Sequence, residues 1–136
     1  MSAVPQGIDH VVLRVADMAR SLRFYCDVLG CVEERRAEDL GLVQLRAGNS
    51  LVDLVDLDGK LGRRGGAGPG RDARNMDHFC LRVEPFDEAL IRSHLSRHGV
   101  EAGETVSRYG AEGSGPSIYI EDPDGNVVEL KGPPDE

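Results

Sequence analysis

Tryptophan is absent from this 136-residue chain and aromatic residues make up only 4% of it, so stacking platforms for bases or sugars are not evident. Cysteine is scarce and odd in number. Cys26, Cys31 and Cys80 form no Cys-x-x-Cys pair, which argues against a disulfide framework or a zinc knuckle and suits a reducing cytoplasm. No apolar run approaches the roughly 20 residues of a membrane span, and positions 1–7 lack the basic and apolar regions of a signal peptide. A soluble, unexported, cytoplasmic protein is expected. An excess of basic charge is also missing: the formal net charge is −8, and Arg63, Arg64, Arg71 and Arg74 are confined to one loop. Phosphate neutralisation needs a basic face, so neither nucleic acid nor membrane is the expected partner. A small molecule is.

The chain does contain a repeat. Asp9-His10-Val11-Val12-Leu13-Arg14-Val15 matches Asp77-His78-Phe79-Cys80-Leu81-Arg82-Val83 at five of seven positions, and His78 follows His10 by 68 residues, half the chain length. This period is too long for a solenoid and points to one module duplicated and packed on its copy within a single domain. In the first half Asp17 is placed to cap a helix over 18–29, with Leu22, Tyr25 and Leu29 on one face and Gly30 as the stop. In the second half a helix is expected over 85–98, with Phe86, Leu90, Ile91 and Leu95 inward and Gly99 as the stop. Strand-like runs follow at 32–36, 42–46 and 50–57, then at 105–109, 117–121 and 126–131. Ala47-Gly48-Asn49 and Asp122-Pro123-Asp124-Gly125 supply turn residues, so the last two strands of each half should form hairpins. The expected organisation is one α+β domain of two βαβββ modules, over 7–57 and 76–132. The glycine-rich segment 58–75 between them is expected to be a mobile linker without regular structure.

Each half sets a histidine at its first strand and a carboxylate in its last: His10 with Asp53, and His78 with Glu129. Alternation places Leu51, Asp53 and Val55 on one face of their strand, and Val127, Glu129 and Lys131 on one face of theirs. Carboxylates within such apolar runs are costly to bury unless their charge is compensated. Two imidazoles and two carboxylates would balance a divalent cation, and nitrogen and oxygen donors without thiolate favour zinc, nickel, cobalt, iron(II) or manganese.

These residues, together with the runs Ser21-Leu22-Arg23-Phe24-Tyr25-Cys26-Asp27-Val28-Leu29-Gly30 and Tyr119-Ile120-Glu121-Asp122-Pro123-Asp124-Gly125-Asn126-Val127-Val128-Glu129-Leu130, resemble the vicinal oxygen chelate superfamily. That superfamily includes glyoxalase I, fosfomycin- and bleomycin-resistance proteins and extradiol dioxygenases. The resemblance covers essentially the whole chain. It implies sheets curved around a metal-binding cleft, a homodimer, and His10, Asp53, His78 and Glu129 as metal ligands. Asp53 stands where the family usually has Glu or Gln. One methylene shorter, it would either draw its strand toward the metal or act through water.

The reaction implied is chelation of two vicinal oxygens of a small substrate by the metal, stabilising an enediolate-like intermediate, with Glu129 or Asp53 shuttling a proton between adjacent carbons. This is the step of a glyoxalase I-like lyase or isomerase. A non-heme iron dioxygenase is the alternative: Tyr119-x-x-Asp122-Pro123-x-Gly125-x-x-x-Glu129 fits the closing part of the extradiol signature, but Gly110, Ala111 and Glu112 stand where its acid/base histidine should be. A bleomycin-resistance-type binding protein without turnover is the third reading, and the retained histidines and carboxylates favour an enzyme over it. Among the remaining residues, His94 and His98 are expected on a solvated helix face, and Arg63 and Arg64 as solvated linker charge. Cys80 shares a side with His78 but is expected to pack in the core. Tyr109 and Tyr119 are expected to cover a sheet or orient substrate.

Overall fold

The computed structural model describes residues 3–70 and 72–135; Met1, Ser2, Glu136 and Arg71 of the linker arginines lie outside the described residues. The chain divides into two compact units, one ending at Gly68 and the other starting at Pro69. Each unit contains a four-stranded mixed sheet with little helix, an α+β architecture. Among the described residues no helix is long and apolar enough to cross a membrane.

In the first unit β1 (His10–Val15) leads into α1 (Met18–Leu22), followed by β2 (Val32–Ala37), β3 (Leu42–Ala47) and β4 (Ser50–Asp56). The sheet order is β1-β4-β3-β2, with β1 parallel to β4 and the other pairs antiparallel. A parallel pair needs a crossover, which the helical segment provides. Strand alternation sends Leu13 and Val15 to one face with Val52 and Leu54, and Val43 and Leu45 join them through the β3–β4 register. All six are buried, as are Phe24 and Tyr25 of the crossover. Each such side chain contributes about 1.5–3 kcal/mol by leaving water.

The crossover differs from the single α-helix expected over 18–29. Asp17 does cap it, accepting a hydrogen bond from the Arg20 N–H at 3.1 Å, but after Leu22 the chain continues as a π-helical segment over Arg23–Val28. A π turn holds more residues than an α turn and so rotates the face. Ser21, Phe24 and Tyr25 become the buried set, and Leu22 and Leu29 are only partly covered.

The second unit follows the same plan: β5 (Phe79–Arg82), α2 (Glu88–Arg97), β6 (Val106–Gly110), β7 (Gly113–Glu121) and β8 (Val127–Lys131), in the sheet order β5-β8-β7-β6. Here α2 starts at Glu88, later than the expected 85, because Asp87 is the residue that caps it, accepting from the Leu90 N–H at 3.1 Å. Ile91 and Leu95, one turn apart, share the inner side, whereas Leu90 is exposed rather than inward. Thr105 falls outside β6; its hydroxyl donates to Glu88 at 2.8 Å and accepts from Arg92 at 3.0 Å. Both expected terminal hairpins are present as the antiparallel pairs β3–β4 and β7–β8.

The glycine-rich segment is not without regular structure, since Gly62–Gly65 forms a 3₁₀ turn. Two features hold it. A Cβ at Gly62 would stand 1.9 Å from the Asp56 carbonyl oxygen, an approach only glycine allows. The Arg14 guanidinium donates to the Gly62, Gly65 and Ala67 carbonyls at 3.0, 3.1 and 3.2 Å, and also to that of Gly66.

Candidate functional site

The face of the first sheet opposite its apolar core carries His10, Val12 and Arg14 of β1. Val12 is in register with Asp53 on β4, and Asp53 with Gln44 on β3. His10 and Asp53 therefore lie on one face, offset by one alternate position. Asp53 is only 3% exposed. Its Oδ2 accepts from Gln44 Nε2 at 3.1 Å, and its Oδ1 is buried with no hydrogen-bond partner among the described residues. An acceptor atom buried in this way is a candidate ligand position for a cation. The His10 ring is half exposed and its Nδ1 lies 2.7 Å from Asp9 Oδ1. An ionised carboxylate can only accept, so Nδ1 carries the proton and Nε2 of the neutral ring keeps its lone pair. The hydrogen bond to Asp9, reinforced by the negative charge of Asp53, raises the His10 pKa above the ordinary 6.5.

The second sheet repeats the arrangement with a closer pair. Cys80 on β5 is in register with Glu129 on β8, and Glu129 with Tyr119 on β7. Glu129 is 6% exposed and its Oε1 lies 3.4 Å from His78 Nε2, while His78 Nδ1 is 2.5 Å from Asp77 Oδ2. The Tyr119 ring meets the His78 ring edge-on at 5.4 Å, and Arg108 Cζ lies 4.2 Å over the Tyr119 ring.

The turn before β8 sets the register of Glu129. Asp122 Oδ1 accepts from the Asp124 and Asn126 N–H groups at 2.9 and 2.8 Å, and Asn126 Nδ2 donates to Asp122 Oδ2 at 2.8 Å. Gly125 takes the positive φ of 82° that the turn requires. Asn75, three residues before His78, donates to Asn126 Oδ1 at 2.9 Å, which ties the approach to β5 to this turn.

All four expected ligands thus sit on sheet faces, His10 sharing one with Asp53 and His78 with Glu129. Within neither half do three or more described His, Cys, Asp or Glu residues gather as a cluster able to hold a metal. Asp9, Asp77 and Gln44, which orient these groups, were not singled out from sequence. The signal for the first two was the Asp-His dipeptide common to both copies of the repeat. Gln44 is visible only through the β3–β4 register.

Cys80 is exposed on the ligand face and not packed in the core as expected. Its thiol is nonetheless pushed up to about 11, by the desolvating sheet around it and then by the charge and hydrogen bonding of Glu129. Tyr109 is exposed and makes no sheet cover, and the His94 and His98 rings lie against each other at 4.6 Å.

Two four-stranded sheets, each built as strand, helix and three strands, define the paired βαβββ class of proteins. The model of the Glyoxalase/Bleomycin resistance protein/Dioxygenase superfamily matches residues 7–130, and the chain belongs to that superfamily. Virulence protein STM3117 of Salmonella typhimurium is 32% identical over 129 residues, spanning 90% of this chain and 81% of that protein. Its crystal structure superposes with a TM-score of 0.77 at 27% identity over 96% of this chain and 98% of that one. A probable lactoylglutathione lyase of Synechocystis is 29% identical, covering 89% of this chain and 91% of the relative. Catechol-2,3-dioxygenase of Bacillus subtilis is 23% identical over 90% of this chain and 40% of that enzyme. Lyase and dioxygenase names thus both occur among the relatives.

Proposed function

We propose that this chain is a divalent-metal-dependent enzyme that isomerises a small substrate bearing two neighbouring oxygens, in the manner of a glyoxalase-like lyase, and that it works as a homodimer. The observation that carries this reading is the buried, unpartnered Oδ1 of Asp53 on a face shared with His10. The donor set fits nickel, zinc, cobalt, manganese or iron(II): imidazole Nε2 of His10 and His78, with Asp53 and Glu129 as carboxylates. When bound, the cation supplies Lewis-acid stabilisation of negative charge developing on the substrate oxygens.

The chain's own residues have separate tasks. Asp9 and Asp77 hold the two imidazoles by Nδ1, fixing the tautomer in which Nε2 is the donor atom. Gln44 binds Asp53 Oδ2 and so turns Oδ1 to its task. Glu129 is the residue we assign to moving the proton between the adjacent substrate carbons, with Asp53 as its counterpart in the first half. Its side chain is buried on the face that carries His78.

The reading is tested by incubating the metal-loaded protein with hemithioacetals of 2-oxoaldehydes in deuterated water. Isomerisation with solvent deuterium at the transferred position, lost in Glu129→Gln, is the expected result. Oxygen consumption by the iron form without isomerisation would replace this reading with the dioxygenase one.

A further inference from the structure

Three cations, Arg82, Arg108 and Lys131, share the Glu129 face of the second sheet, and none is used by the chemistry above. Lys131 follows Glu129 by two residues and is in register with Ser117 of β7 and Arg82 of β5, so its side chain leaves the sheet on the Glu129 face. It is 5% exposed and forms no salt bridge with any described residue. Its stem is covered by the sheet, and its ammonium group has no carboxylate partner among the described residues. Its near neighbour on that face, Arg82, is taken by Glu112 at 2.7 Å.

The room for Lys131 comes from glycine. A Cβ at Gly110 would lie 3.1 Å from Lys131 Cε; a Cβ at Gly115 would meet first the Pro133 carbonyl oxygen at 2.7 Å and then Lys131 Nζ at 3.3 Å. Gly115 is in register with Arg108 on β6, so the lysine amine ends over the very pair that presents the arginine. Arg108 is itself fixed. Its Nη1 donates to the Ser117 carbonyl at 3.0 Å and to Ser117 Oγ at 2.6 Å, and its guanidinium stacks on Tyr119, which in turn meets His78. Among the described residues no carboxylate pairs with it, and its remaining N–H groups are available.

Arg108, held flat on Tyr119, and Lys131, whose stem crosses Gly110 and Gly115, put two positive groups that no described carboxylate neutralises on one sheet face, which suits a planar or tetrahedral oxyanion. We propose that Arg108 and Lys131, with Ser117, form an anion-binding subsite for the carboxylate or phosphate-type end of the substrate. That the anion is one end of the substrate rests on the function proposed above; the subsite itself does not. Glu129 is the nearest negative group along the strand, and its charge is committed to the metal and the proton in that reading.

The test is an amide and arginine Nε–H NMR titration of the full chain without metal, using inorganic phosphate and, separately, acetate at constant ionic strength. Saturable shifts of Gly115, Ser117 and Arg108 are expected. Lys131→Met, which keeps the apolar stem, and Arg108→Gln should each weaken binding by about tenfold or more. Should Lys131→Met not fold, the arginine variant carries the test. Tighter phosphate than acetate would assign a phosphate-type end, and the reverse a carboxylate. Shifts that never saturate, or that both variants leave unchanged, would overturn the proposal. Glu129→Ala separates the two readings: it removes a metal ligand while leaving phosphate binding intact, so metal binding and the anion subsite can fail independently.

Discussion

At the scale of single residues, the Asp-His dipeptides do more than begin a strand. Asp9 accepts from His10 Nδ1, and with Asp53 behind it this holds the imidazolium form above its ordinary range. Because the folded pKa is raised, the stabilisation from charged His10 is fully present below the unfolded value near 6.5 and is lost as pH rises through the folded one. Asp9→Asn should lower the His10 pKa toward 6.5, read from the ring proton shifts by NMR. An unchanged midpoint would mean that Asp9 does not hold the ring. The repeat made His10 and His78 visible in the sequence because identity at equivalent positions singles out a polar residue within apolar strands. Cys80 was misread for another reason. Alternation had already set it on the His78 side, but the core was expected because free cysteine is commonly buried.

At the scale of elements, hairpins and strand order were legible because period-two alternation and turn residues are local signals. The switch from α to π after Leu22 and the exposed Leu90 were not. Each depends on how a helix face rotates against its sheet, which no window of sequence contains. The segment 62–67 was hidden for another reason: glycine composition reads as mobility, whereas here Arg14 of β1, about fifty residues away, gathers its carbonyls. Hydrogen bonds from a charged donor are worth about 1.5–3 kcal/mol each when buried and less when exposed. Most of these are exposed, so Arg14→Ala should cost about 1–2 kcal/mol in global stability while opening the loop itself. Limited trypsin digestion of the variant should cut at Arg63 and Arg64 much faster than in the parent chain. Equal cutting rates would show that the clamp does not order the loop. Gly65→Ala offers an independent check, since its Cβ would fall 2.4 Å from Arg14 Cζ.

At the scale of the whole molecule, superfamily membership was legible because the motifs run from the first strand to the last, and the matched region spans 7–130. The particular reaction was not, since lyase and dioxygenase relatives share that frame. The central claim is that His10, Asp53, His78 and Glu129 bind a divalent metal. It is tested most directly by the metal content of untagged protein beside that of Glu129→Ala and His78→Ala, with folding verified by circular dichroism. The account predicts a stoichiometric transition metal in the parent protein and its loss from both folded variants. Full metal retention in either variant, or no uptake by the parent from any of the candidate ions, would contradict it.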